Sequence, residues 1–466
     1  MCGVIGVYGP PGSRAADRLY LGLYALQHRG EESCGIAVSD GERVRVVKGM
    51  GLVPDVFDRE RLAALPGAIG VGHVRYSTTG ASEVANAQPL TAHTSRGPSA
   101  VAHNGDLVNA RDLRTQLLQQ GSVFQTTTDS EVILNLFARW ADDDEETAAI
   151  RTMTAIRGGY AVVLLTRDRL LAFRDPFGIR PLCWGKAGET FIVASESCAL
   201  TALGVEQVHE VAPGELLTVD ARGMHRRRLP EGRDGRAPCA FEYIYFSRPD
   251  SELLARNVHL VRKAIGRRLY EEHPVEADVV IAAPDSGTSA AMGFAEAAGL
   301  PFEIGLVKNR YVGRTFIHPE EGMRHLAVKV KLNPNRQVLA GKRVVVLDDS
   351  IVRGTTSQRT VALVREAGAR EVHMYVAAPP FLHPCHYGID ISSRRELIAA
   401  QRSLEEIRRF IGADSLYYLS VEGLCAAVGV RPEQLCLACM TGMYPEPVLG
   451  QSPAHGHVLE GSGRGE

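Results

Sequence analysis

Nowhere in the sequence do about 18 uncharged apolar residues run together, the length a helix needs to cross a bilayer, and the amino terminus has no charged stretch leading into an apolar one. Neither a membrane span nor a secretory leader is expected, so the cytosol is the expected compartment. Cysteine is sparse: nine residues among 466, scattered and odd in number, which excludes a disulfide scaffold and leaves reduced thiols for catalysis or metal binding. An excess of either charge is also lacking. A formal net charge of −2 provides no general field for nucleic acid or a membrane surface, although a small anionic substrate needs only a local basic pocket.

At about 150 residues per domain, taken loosely, the chain is too long for one ordinary core, and we expect two large domains. The first, 2–230, contains many short β runs (3–8, 69–76, 160–166 and 190–195) with helices at about 13–28 and 129–142. That pattern suggests two packed sheets flanked by helices, and Ala15, Leu19, Leu23 and Leu26 give the first helix one apolar face. A polar segment, 230–238, separates it from a second domain, 231–450, where strands and helices alternate: strand 278–283, helix 289–298, strands 302–307 and 343–347, helix 356–367, strand 371–377. Alternation of this kind implies a parallel sheet. Beyond Leu404 the chain is expected to be helical, with Ser403 and Glu406 at capping-box spacing, and 451–466, rich in Gly, Ser and His, to be disordered.

The chain begins Met1-Cys2-Gly3. Removal of the methionine would leave a residue with both a thiol and a free α-amine, and an ordinary α-amine, with a pKa of about 7.7–8.0, can take the thiol proton near neutrality. A cysteine in second place is a weak signal alone. Three further segments place polar side chains beside strand ends or helix starts, where pockets are commonly built: His73-Val74-Arg75-Tyr76-Ser77-Thr78, Ala102-His103-Asn104-Gly105-Asp106 and Thr127-Thr128-Asp129-Ser130-Glu131. Taken singly, Arg75 fits a surface arginine and Asn104-Gly105 an ordinary turn. Together with Cys2-Gly3-Val4-Ile5-Gly6 they resemble the glutamine amidotransferases whose nucleophile is an amino-terminal cysteine, over nearly the whole first half. The resemblance implies an α+β amino-terminal-nucleophile fold with αββα layers. It implies that Arg75 grips the glutamine α-carboxylate, that Asp129 binds its α-ammonium, and that the Asn104 side chain and Gly105 N–H form the oxyanion hole.

In the second half, Arg343-Val344-Val345-Val346-Leu347-Asp348-Asp349-Ser350-Ile351-Val352-Arg353-Gly354-Thr355-Thr356-Ser357 is a buried strand, two acids and a small polar loop opening a helix. Ligands of open α/β sheets bind at such strand ends, and a helix amino terminus with nearby hydroxyls suits a phosphate. Asp348 and Asp349 can accept from two ribose hydroxyls or help hold Mg2+. The run resembles the signature of type I phosphoribosyltransferases, implying an α/β domain that binds phosphoribosyl pyrophosphate through Asp348, Asp349, Ser350, Arg353, Gly354, Thr355, Thr356 and Ser357. In that family the Pro284-Asp285-Ser286-Gly287-Thr288 loop would face pyrophosphate, with Ser286 near the metal. The same residues are also ordinary turn chemistry. The long basic stretch from Lys308 to Asn333 looks like the family's flexible loop, which covers the substrate and completes a passage for ammonia. Lys308 and Arg324 are its candidate anion contacts, and a solvated basic face reads the same way.

Joined in one chain, the halves resemble the amidophosphoribosyltransferase family, from Cys2 to about Pro447. That implies glutamine and phosphoribosyl pyrophosphate as substrates, 5-phosphoribosylamine as product, feedback inhibition by purine nucleotides, and tetramers or dimers. Cys436 and Cys439 form a Cys-x-x-Cys pair, which alone occurs in metal sites, redox sites and by chance. With Cys239 and Cys385 they match the ligands of the family's iron–sulfur branch, implying a [4Fe–4S] cluster with a structural or oxygen-sensing role. Zinc on four cysteines is the chemical rival. Cys34, Cys183, Cys198 and Cys425 fit core positions. Many cluster-bearing members begin with a self-cleaved propeptide, whereas here methionine removal alone is expected to suffice. Two other readings carry different chemistry. One is a regulatory protein binding phosphoribosyl pyrophosphate or nucleotides without catalysis, which would need a broken glutaminase site. The other is an amidotransferase acting on another sugar phosphate, which the 348–357 loop opposes.

Overall fold

The computed structural model describes residues 1–77, 80–140, 143–229, 235–309, 332–391 and 393–447. Arg324 with most of the basic stretch, 230–234 of the polar connection, and the 451–466 tail lie outside the described residues.

The first domain is two antiparallel sheets packed face to face. Along one, the strands run His209–Glu210, Cys183–Ala187, Thr190–Ala194, Gly3–Tyr8, Ile69–Arg75, Ser33–Ser39 and Val44–Met50. The other runs Gly223–Arg228, Glu215–Asp220, Leu170–Arg174, Gly158–Leu165, Gly97–Leu107 and Leu90–Thr94. Gly3–Tyr8 is buried on both faces because its residues alternate between two apolar layers. Val4 enters the core between the sheets, while Ile5 and Val7 meet the helix Ala15–Ala25 with Leu19 and Leu23. Gly6 also faces the inter-sheet layer, where an added Cβ would lie 2.6 Å from Val163. Helices Ser130–Arg139 and Glu145–Ala155 cover the outside of the second sheet through Ile133, Phe137, Ala149 and Met153. The layers are therefore αββα.

The second domain is built on a four-stranded parallel sheet, Val279–Ala282, Arg343–Asp348, Glu371–Val376 and Ser415–Tyr418. Helices Val258–Glu272, Thr288–Ala298 and Thr355–Glu366 bury Ile265, Leu269, Phe294, Val361 and Val364 in the core that surrounds it. Two expectations need correction. Residues 302–307 do not form one strand: Phe302 makes a single bridge to Val280, and Leu306–Lys308 turns away to pair with Leu332–Pro334. The chain kinks between them, with Gly305 N–H donating to the Glu303 carbonyl. The carboxyl-terminal region is not purely helical either. Ser415–Tyr418 forms the fourth strand, between Gly412 in the left-handed C-cap of one helix and Ser420 as N-cap of the next. The Ser403 and Glu406 capping box is present, with Ser403 N–H donating to Glu406 at 2.8 Å and Glu406 N–H to Ser403 Oγ at 3.4 Å. None of the described helices is long and apolar enough to cross a membrane.

Candidate active site

Cys2 stands at the entrance to the central strand Gly3–Tyr8, and three of its hydrogen-bond partners come from other segments. Its backbone N–H donates to Asn104 Oδ1 at 3.1 Å, its thiol lies 3.5 Å from the Tyr76 carbonyl oxygen, and its own carbonyl accepts from Arg29 Nε at 3.0 Å. Met1 is itself buried, and that burial pushes its amine down to about 6. Loss of Met1 would move the free amine to the nitrogen that now faces Asn104.

Asn104 and Gly105 lie on Gly97–Leu107, in the facing sheet, paired with Ala161 and Tyr160. Asn104 is fully buried, and among the described residues its Nδ2 has no hydrogen-bond partner. An unsatisfied buried donor normally costs about 1–3 kcal/mol, so its persistence beside a thiol points to a ligand atom that satisfies it. Gly105 has φ +144°, and a Cβ there would lie 2.0 Å from the Gly159 carbonyl oxygen. Only glycine fits.

Arg75 and Asp129 line the same small pocket as Cys2 and Gly105. Arg75 ends the strand Ile69–Arg75, is buried, and donates through Nη1 to Glu32 at 2.7 Å and to the Ala81 carbonyl at 3.1 Å. Asp129, just ahead of helix Ser130–Arg139, accepts from Leu107 N–H at 3.0 Å. Burial raises its carboxyl above the usual range, opposed by that hydrogen bond, so a cationic group bound there would favour the ionised form. His103 and His73 sit behind it, pushed by burial to about 4 and about 3, and are neutral near pH 7.

The second constellation is at the carboxyl edge of the parallel sheet. Asp348 ends Arg343–Asp348, and Asp349 N–H donates to Asp348 Oδ1 at 2.9 Å. Asp349 accepts from the hydroxyls of both Ser286 and Ser350, which brings the 284–288 loop against the acids. Burial and the like charge of Asp349 push Asp348 well up. Burial also raises Asp349, opposed by the two hydroxyls and by the charge of Arg262. Two adjacent buried carboxylates with hydroxyl neighbours form an oxygen donor set suited to a hard cation. Gly354, at φ +78°, turns the chain into helix Thr355–Glu366, whose first residues Thr355 and Thr356 are exposed while Ser357 is buried. Arg353 is exposed and paired with Glu396. Lys308 meets Asp285 at 3.2 Å, beside the 284–288 loop and not on the acidic pair.

Cys239, Cys436 and Cys439 are buried in the core of the second domain, and Cys385 packs against that core. Cys239 and Cys436 are joined by a backbone bridge, and the Cys439 carbonyl accepts from Leu382 and His383 N–H at 2.9 and 3.0 Å. Burial pushes Cys239 up to about 11 and raises Cys436 and Cys439, each further lifted by the other thiols. Arg180 lies among them, fully buried, with an Nη2 that has no partner among the described residues. Among the described residues no three His, Cys, Asp or Glu converge closely enough for a single metal ion. Cys34, Cys183, Cys198 and Cys425 are buried in the apolar clusters.

Sequence reading missed the charged groups behind Cys2. Arg29 and Glu242 are wholly buried and paired, and Glu196 joins them, yet the three are far apart in the chain. No local pattern marks them.

Comparison with known proteins agrees with this two-part arrangement. A family model described as a glutamine amidotransferase domain matches residues 73–202, and one described as a phosphoribosyl transferase domain matches 251–387. Amidophosphoribosyltransferase from Methanocaldococcus jannaschii is 48% identical, covering 97% of this chain and 100% of the relative; that from Bacillus subtilis is 47% identical, covering 98% and 97%. The solved structure of B. subtilis glutamine phosphoribosylpyrophosphate amidotransferase, complexed with ADP and GMP, superimposes with a TM-score of 0.91 at 46% identity, covering 97% of this chain and 99% of that one. With two distinct domains in matching order and nearly end-to-end similarity, the chain belongs to the amidophosphoribosyltransferase family.

Proposed function

We propose that the reaction of this family, transfer of the glutamine amide nitrogen to phosphoribosyl pyrophosphate to give 5-phosphoribosylamine, glutamate and pyrophosphate at the first step of purine biosynthesis, is carried out here by Cys2 and the 348–357 loop. The supporting observation is the buried Asn104 amide, with its oxygen engaged by Cys2 N–H and its Nδ2 unspent. Glutamine binds with its α-carboxylate on Arg75 and its α-ammonium on Asp129. The Cys2 thiol passes its proton to the free α-amine and attacks the carboxamide carbon. Asn104 Nδ2 and Gly105 N–H then take the oxyanion. Collapse releases ammonia and leaves a glutamyl thioester, which water hydrolyses to glutamate.

Ammonia passes to the second site and displaces pyrophosphate from the anomeric carbon. Thr355, Thr356, Ser357, Ser350, Gly354 and Arg353 hold the 5-phosphate at the helix amino terminus, where the backbone dipole favours an anion. Asp348 and Asp349 accept from the ribose hydroxyls, and Lys308 faces the pyrophosphate side. Ser286, Asp348 and Asp349 suit Mg2+, which would supply positive charge for the leaving pyrophosphate.

Cys239, Cys385, Cys436 and Cys439 would hold a [4Fe–4S] cluster, supplying cross-links among three chain segments. The reading is supported by the burial of Cys239, Cys436 and Cys439 in one core, with Cys239 bridged to Cys436 through the backbone. The buried Arg180 Nη2, without a partner among the described residues, would suit the negative charge of four thiolates. Cytoplasmic location, a dimer or tetramer, and purine nucleotides as inhibitors complete the proposal; the last is supported by the ADP and GMP in the B. subtilis structure.

Cys2→Ala tests the assignment of the nucleophile. Glutamine-dependent phosphoribosylamine formation should vanish while synthesis from added ammonium salts persists. Retained glutamine-dependent turnover would overturn it.

A further inference from the structure

The backbone at the first site is gripped from the second domain at two points. Arg29 Nε holds the Cys2 carbonyl at 3.0 Å, and its two terminal nitrogens meet Glu242 at 3.0 and 2.8 Å and Glu196 at 2.5 Å. Glu242 is fully buried, opens the short helix Glu242–Phe246, and also accepts from Ser247 Oγ at 2.8 Å. The planar guanidinium meets the carboxylate bidentately, a geometry that fixes direction as well as distance. Removing one partner would leave the other charge buried and uncompensated.

The second grip is on the oxyanion hole. A Cβ added to Gly388 would lie 3.0 Å from the Gly105 carbonyl carbon and 3.2 Å from its Cα. The neighbouring Tyr387 packs equally closely on Gly159, which precedes Tyr160, the cross-strand partner of Gly105. Tyr387 is anchored by its hydroxyl on the Glu446 carbonyl at 2.6 Å. Arg180 joins the two grips: its Nε donates to the Tyr387 carbonyl at 2.7 Å, and its Nη1 lies 3.9 Å from Glu242.

We propose that Glu242, acting through Arg29, and the turn at Tyr387 and Gly388, acting on Gly105, are positioning residues for the glutamine reaction. The nucleophile and its oxyanion hole, as assigned under the proposed function, are then held in mutual register by the docked second domain. Glu242, Tyr387 and Gly388 do not line the pocket shared by Cys2, Arg75, Gly105 and Asp129. Their effect is on the relative placement of Cys2 and Gly105, where small displacements weaken oxyanion stabilisation steeply.

The test is steady-state kinetics of full-length Glu242→Gln, Glu242→Asp and Gly388→Ala, with glutamine and with ammonium salts as nitrogen source, beside thermal unfolding. Glu242→Gln should lower kcat with glutamine by about tenfold or more, about 1.4 kcal/mol of barrier. Its KM for glutamine and its ammonia-dependent rate should stay within roughly twofold. Glu242→Asp, which keeps the charge, should recover part of kcat. Gly388→Ala should reproduce the glutamine-specific loss, and if that variant does not fold, the two Glu242 variants carry the test. Equal loss with both nitrogen sources, a change in KM alone, or no loss of kcat would each overturn the proposal. Retained glutamine turnover in Cys2→Ala would instead overturn the nucleophile assignment on which it rests.

Discussion

Asn104 presents its amide oxygen to Cys2 N–H at 3.1 Å, and its buried Nδ2 has no hydrogen-bond partner among the described residues. In the proposed mechanism this side chain both anchors the Cys2 backbone and supplies a donor for charge that develops during reaction. Asn104→Ala should reduce glutamine-dependent kcat by about 10²–10³, the usual consequence of losing one oxyanion donor, with a small change in KM. Initial rates with glutamine and with ammonium salts check this, since ammonia-dependent synthesis should be unaffected.

Arg75 reaches the pocket as a planar, buried guanidinium already braced by Glu32. Arg75→Lys keeps the charge but loses the two-pronged geometry for a carboxylate. The expected result is a rise in KM for glutamine of about tenfold to a hundredfold, on the order of 1–3 kcal/mol, exceeding any fall in kcat. A kcat effect with unchanged KM would place Arg75 in the chemical step instead.

His73 and His103 predict acid sensitivity. Burial lowers their folded values to about 3 and about 4 from 6.5. Below 6.5 the unfolded chain binds protons that the folded chain refuses, so stability is intact above that pH, falls as pH drops, and the loss levels off near the folded values. One pH unit below 6.5 each histidine should remove roughly 1.4 kcal/mol. Melting temperature followed from pH 8 to 4.5 should fall below 6.5, and less steeply in His103→Gln than in the parent protein.

The four thiols should bring iron with them. Anaerobically purified protein should contain about four iron atoms per chain with bound sulfide and a visible absorption that fades in air. Stoichiometric zinc without iron would show that the tetrahedral rival fills the site.

Much of the surroundings of both candidate sites was legible because the sites are assembled from a few short segments, each with its own local demands. Gly105 must be glycine for backbone reasons, Asp348 and Asp349 end a buried strand, and Gly354 turns that strand into a helix. Short apolar runs likewise announced Gly3–Tyr8 and Arg343–Asp348. Ser415–Tyr418 escaped notice because four residues between two capped helices are too few for a period to show. The pairing of Arg29 with Glu242 spans 213 residues, and the contact of Gly388 with Gly105 arises only where the domains meet. Such partners are set by tertiary packing, and no window of sequence contains both.

The most direct test of the account is simultaneous measurement of glutamate and pyrophosphate release by anaerobically purified full-length protein, with glutamine, phosphoribosyl pyrophosphate and Mg2+ supplied singly and together. Equal amounts of both products, at full rate only when all three are present, are predicted. Release of neither product by cluster-intact protein, or of glutamate at the same rate whether or not phosphoribosyl pyrophosphate is supplied, would contradict it.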